Sequence, residues 1–356
     1  DVLVHGLVRD SKGRKMSKSL DNTVDPLELS EKHGADALRF SLIEKASPGQ
    51  DVPFDEEWTI AAKKFGNKIW NAAKFVHLYT EDKEATDLNS IKSPENKWII
   101  SKYNNVLDEF NNLFDKYKIS DAYKLLYNFL WSDLFDWYFE FSKNLIKDEE
   151  HKLETMSVLE SVFLNSLKIL NPAMPHLTEE VWSTFNDDLL ISNSWPEKFE
   201  LENENLDNVE NLKVIISQIR NFKATYQIKN NTILKVYSDN EVDDWIKNQL
   251  EILGKVEIQE EKLTNIGEST FLHFSSGDYD FSILAEEYID IEVEVNKLNT
   301  KSKEIEKSVE ISNKRLNNNK FMENAKPELI DEEKKKKEEL ELELKLIHKT
   351  LKELGN

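Results

Sequence analysis

Between Glu56 and about Phe185, apolar side chains return every three or four residues through one stretch after another, and that helical period limits what the chain can fold into. In residues 56–79, Ile60, Phe65, Ile69, Ala72, Ala73 and Val76 fall on one stripe. Further stretches cover 95–117, 120–146 and 151–170, with 120–146 the most apolar and therefore the expected centre. Pro172 and Pro175 stop the fourth before a short fifth helix, with His176 or Thr178 near its start. Four long helices with short links predict an antiparallel bundle. Asp133, Asp136 and Glu140 make Leu125–Leu134 a buried helix rather than a membrane span. Nine glycines and eight prolines in 356 residues suit a mainly α chain of about two to three domains.

The flanks read differently. Residues 2–8, VLVHGLV, are β-branched and suggest a buried strand, followed by a polar turn. Asp25 can cap a helix opened by Pro26, with Glu28 in its first turn, and a second helix follows Gly34 over 35–46. Beyond the bundle, residues 200–212 are polar and acidic, as in a linker. Residues 212–284 alternate helix and strand signals and suggest a small α/β unit. In the tail, Ile291, Val295, Leu298, Ser302, Ile305, Val309, Ser312 and Leu316 step by threes and fours, and the pattern resumes at Ile330, Leu340, Leu344, Ile347, Leu351 and Leu354. Pro327 and the Asn run before it favour an antiparallel helical hairpin over one long helix or an intermolecular coiled coil.

The chain carries 68 Asp/Glu against 47 Lys/Arg, a net charge of −21, which argues against broad coating of nucleic acid but allows local basic patches. It has no cysteine, so disulfides and thiolate metal sites are excluded, and its seven histidines are scattered; no metal site is expected. Against this acidic background stands GRKMSKSLDN, residues 13–22. Lys15 and Lys18 are ammonium groups that can converge on phosphate, while Ser17 and Ser19 add short hydroxyl donors. An isolated pair of lysines at this spacing is ordinarily a solvated basic turn.

The KMSKS stretch, however, resembles the second consensus motif of the class I aminoacyl-tRNA synthetases. Its surroundings, HGLVRDSKGRKMSKS, DPLELSEKHGADALRF, SPGQDVPF and NKIWNAAKFV, resemble the valyl-tRNA synthetases. NPAMPHLTEEVW resembles the helical anticodon-binding domain shared by the valyl, isoleucyl, leucyl and methionyl enzymes. The tail, with NKLNTKSKEIEK and NNKFMENAKPELIDEEKKK, resembles the tRNA-binding arm of the valyl enzymes. The likeness spans nearly the whole chain and is weakest over 200–284.

The resemblance implies the end of a nucleotide-binding α/β catalytic domain with stem-contact helices (1–55), a helical anticodon-binding domain (56–199), a linker and small α/β unit (200–284) and a coiled-coil tRNA-binding arm (285–356). It implies that Lys18 binds ATP phosphates and stabilises the adenylation transition state, that Lys15 supports it, and that Ser17 and Ser19 shape the loop. Met16 is expected to pack, and His5 and Gly6 lie where the family's backbone approaches adenine. Implied partners are ATP with Mg2+, valine in a pocket outside this chain, and tRNA(Val); a monomeric, cytoplasmic protein is expected. The family's HIGH motif is absent, so a C-terminal part, inactive alone, is expected. Asp21 stands where the family usually has Gly, and its carboxylate is expected to point away from the triphosphate. Trp131, Trp137 and Trp182 are expected in the core rather than on bases, with Arg39 and Arg220 as candidate phosphate contacts. Residues 296–337 hold twelve Lys/Arg against eight Asp/Glu, a basic patch suited to an RNA backbone. Alternatives are the C-terminal part of an isoleucyl enzyme, whose cysteine-rich zinc module this chain lacks, and a non-catalytic tRNA-binding module.

Overall fold

The computed structural model describes residues 4–46, 49–80, 88, 91–201, 206–259, 269–318 and 327–354. It divides into two compact units, Asp1–Val209 and Glu210–Asn356.

In the first unit, β1 (Val8–Arg9) pairs in parallel with β2 (Val52–Pro53). The run expected to be a buried strand is not buried: Val4, Leu7 and Val8 are 76%, 57% and 40% exposed. A two-residue ladder with one neighbour supplies no second layer to cover them; residues 2–3 of that run lie outside the described ones. Helix α1 (Pro26–His33) starts as the sequence predicts, with the Asp25 side chain accepting from the Leu27 N–H at 2.8 Å. Gly34, at φ 98°, turns the chain into α2 (Ala35–Lys45).

The bundle follows: α3 (Glu56–Thr80), α4 (Pro94–Asp115), α5 (Ile119–Asn128), α6 (Phe139–Leu145), α7 (Lys152–Leu170) and the short α8 (Pro175–Trp182). Between α5 and α6 the helix continues through residues 129–138 in wider turns, the Phe139 N–H reaching back to the Leu134 carbonyl. A wider turn stacks residues five apart. Phe129, Leu134 and Phe139 therefore face the core together with Leu130 and Phe135, and all five are buried. Trp98, Tyr103, Phe65, Phe110, Phe141 and Phe163 complete a largely aromatic core, each ring contributing roughly 2–3 kcal/mol through burial. Trp182 is buried, with its Nε1 donating to Asp188 at 2.8 Å. Trp131 stacks on Tyr127 under the Lys68 ammonium, and Trp137 lies against Phe141.

The second unit opens in α9 (Asp207–Thr225), inside the stretch expected to be linker; 202–205 lie outside the described residues. Leu212, Ile215, Ile216, Ile219 and Phe222 form its buried stripe. A four-stranded sheet runs in the order β4-β3-β6-β5. Strand β3 (Leu234–Tyr237) leads through α10 (Asp244–Gln249) to β4 (Val256–Gln259), which lies parallel to it. Strands β5 (Phe271–Ser276) and β6 (Tyr279–Leu284) form a hairpin. Finally α11 (Ile291–Leu316) and α12 (Pro327–Glu353) pack on Ile305, Ile347 and Leu351, with Val295, Leu298, Val309, Leu340 and Leu344 around them. Lys301 reaches Glu343 at 2.7 Å and Arg315 reaches Glu333 at 3.3 Å, so early residues of one helix meet late residues of the other: an antiparallel hairpin. Its tip, 319–326, where part of the basic patch was expected, lies outside the described residues. Among the described residues no helix is long and apolar enough to cross a membrane.

Candidate functional site

The lysine stretch follows directly from β1. Asp10 turns the chain: its carbonyl accepts from the Gly13 N–H at 2.8 Å and its N–H donates to the Arg14 carbonyl at 3.0 Å. Gly13, at φ 73°, supplies the left-handed residue this turn requires. Arg9 then bridges Lys15 in antiparallel fashion. A short 3-10 turn, Lys18–Leu20, carries the second lysine, and Asp21 closes it in the left-handed region at φ 48°, ψ 37°. Ser17 and Ser19 place their hydroxyls 3.2 Å apart. Met16 is half-buried in an apolar cleft of about 240 Å³, with Val8, Val24, Leu29, Leu38 and Phe54 among its lining residues. The thioether therefore anchors the loop while its neighbours stay in solvent.

Lys15 and Lys18 are both exposed, and among the described residues neither ammonium has a carboxylate partner. The nearby carboxylates are occupied by other groups. Asp10, only 7% exposed, accepts from the backbone N–H groups of Lys12 and Arg14, from Arg14 Nε at 2.8 Å and from Asn22 Nδ2 at 2.9 Å. The bond from Asn22 and those from Arg14 outweigh burial and hold its carboxyl down to about 2. Asp51 accepts from the Leu7 N–H and pairs with Arg9, and these contacts lower its pKa. Neither of these two carboxylates is therefore left to pair with Lys15 or Lys18, whose ammonium groups are open to an anion.

Gly6 is a site of close backbone approach: a Cβ there would fall 1.8 Å from the Gln50 carbonyl oxygen. The His5 ring lies 2.7 Å from the Gly6 carbonyl. Arg39 and Arg220, expected as candidate phosphate contacts, are both exposed; Arg39 donates to the Pro172 carbonyl at 3.0 Å and Arg220 to that of Leu253 at 3.3 Å. Sequence reasoning overlooked Asp10, Arg14 and Asn22, whose side chains build the loop; an aspartate three residues before a glycine in a polar turn was the one local signal.

Three family models match in chain order. They are tRNA synthetases class I (I, L, M and V) over residues 1–55, the anticodon-binding domain of tRNA ligase over 96–238, and the valyl tRNA synthetase tRNA binding arm over 290–355. Curated relatives include valine–tRNA ligases of Aquifex aeolicus (36% identical over 99% of this chain and 32% of the relative), Mesoplasma florum (35%, 99% and 41%) and Petrotoga mobilis (36%, 100% and 42%). The chain thus spans between a third and two-fifths of the length of these relatives. Matched from end to end at that identity, and carrying the arm that distinguishes the valyl enzymes, the chain belongs to the valyl-tRNA synthetase family.

Proposed function

We propose that this chain serves valine–tRNA ligation, supplying the phosphate-binding loop, the anticodon-binding bundle and the tRNA-binding arm for an upstream nucleotide-binding domain. In the first half-reaction a carboxylate oxygen of valine attacks the α-phosphorus of Mg2+-bound ATP. The bond from that phosphorus to the bridging oxygen breaks, and pyrophosphate leaves. Lys18 and Lys15 hold the β- and γ-phosphates, where charge accumulates on the leaving group, and preplaced cations lower that barrier. The second half-reaction passes the valyl group to tRNA(Val), held at its anticodon stem-loop by the bundle and along its backbone by the arm.

The observation that carries this reading is the pair of exposed, unpaired lysines on an anchored loop in a chain of net charge −21. In the intact enzyme, Lys18→Ala is expected to slow ATP–pyrophosphate exchange about a hundredfold, or roughly 3 kcal/mol, with Lys15→Ala smaller in effect. Exchange at full speed in the double variant would overturn the assignment. The chain by itself is expected to support no valine-dependent exchange.

A further inference from the structure

The lysines of the loop are exposed side chains, and their backbone is held by a different pair of residues. Asn22 lies just beyond the lysine stretch, yet its amide reaches three points of the loop and its base. Nδ2 donates to Asp10 Oδ2 at 2.9 Å and to the Lys15 carbonyl at 3.2 Å, while Oδ1 accepts from the Ser17 N–H at 2.9 Å. The chemistry allows one amide orientation only, because a carboxylate and a carbonyl can only accept and a backbone N–H can only donate. Asp10 is in turn held by Arg14 Nε and by the backbone N–H groups of Lys12 and Arg14. The two side chains thus join the end of β1 to both sides of the residue 15–17 segment. The Asn22 side chain bonds directly to the backbone of Lys15 and of Ser17, the latter one residue before the turn that carries Lys18.

We propose that Asp10 and Asn22 are positioning residues: they form a latch that fixes the backbone beneath Lys15 and Lys18 in the geometry that meets the leaving pyrophosphate. This rests on the phosphate role of the two lysines given above. Asn22 adds no charge of its own and reaches only the loop and its base; its effect is to remove the cost of ordering the loop at the moment of reaction.

The test combines backbone exchange with kinetics in the intact enzyme. Asn22→Ala is expected to raise hydrogen exchange of amides 15–21 at least tenfold, leaving α3 and α7 unchanged. It should lower kcat for ATP–pyrophosphate exchange about tenfold with little change in the KM for valine. Asn22→Asp keeps the acceptor for Ser17 but sets a second carboxylate against Asp10, so it should behave as badly. The swapped pair, Asp10→Asn with Asn22→Asp, restores a contact between the two side chains but turns an N–H toward Arg14 Nε and a carboxylate toward the Lys15 carbonyl, so it should stay as slow as Asn22→Ala; recovery of kcat would overturn the latch. Unchanged exchange in Asn22→Ala would remove the latch, and faster exchange without loss of kcat would remove its catalytic role. Failure of the phosphate reading shows separately, as full activity in the Lys15→Ala/Lys18→Ala variant while Asn22→Ala still loosens the loop.

Discussion

Lys223 is 2% exposed, and its ammonium donates to the Gly254 carbonyl at 2.9 Å and the Lys255 carbonyl at 3.2 Å. Burial, with repulsion from Arg220 and Lys255, lowers its pKa from 10.5 to about 8. Between those two values the unfolded chain holds a proton that the folded chain has released, so stability rises with pH across that window. Urea unfolding of the second unit should show this rise from pH 8 to 10, and Lys223→Met should flatten it; the same slope in the variant would discount the lysine. Asp21 poses a residue-scale question of another kind. Its left-handed backbone is one that aspartate tolerates better than most residues. If its carboxylate points away from the triphosphate, Asp21→Asn should leave the KM for ATP within twofold, whereas a tenfold fall would place it against the phosphates. At this scale the lysines were legible because the motif is contiguous. Asp10 and Asn22 were not: they are twelve positions apart, and only the folded turn brings them within 2.9 Å.

Among the helices, the junction of α4 and α7 depends on one carboxylate. Glu154, in the first turn of α7 and 7% exposed, accepts from the Lys92 and Ser93 N–H groups and from Asn96 Nδ2, each at 2.9 Å. It thereby satisfies the two backbone donors that lead into α4, and Asn96 passes the network on to the Tyr138 hydroxyl, whose pKa burial raises well above its ordinary value. Glu154→Ala leaves several buried donors unpaired and should destabilise the first unit by about 2–3 kcal/mol in denaturant titration; a loss within error would show that water replaces the carboxylate. The helices themselves were readable from periodicity, as was the Asp25 cap. Strand β6 was not picked out, although Gly277 and Asp278 form the two-residue turn that joins it to β5. The wide turns over 129–138 were not picked out, because residues 120–146 read as one continuous helix and the locally wider turn does not interrupt it.

At the level of the whole molecule, the acidic total hides a local reversal of sign. The arm's basic excess over 296–337 sits on a chain of net charge −21. Deleting 296–337 should weaken tRNA(Val) binding and reduce the steepness of its dependence on salt, because counterion release scales with the phosphates neutralised; unchanged affinity and slope would take the arm out of RNA binding. The sequence by itself determined the order of elements, the heptad seam of the arm and the membership of the family, since each rests on local period or contiguous motif. The tertiary structure decided which charges are free. Lys15 and Lys18 remain open to an anion, while Lys223 is buried against the Gly254 and Lys255 carbonyls. A cation's availability depends on which acceptors the fold brings within about 3 Å of it, and that is set by contacts between residues distant in the chain.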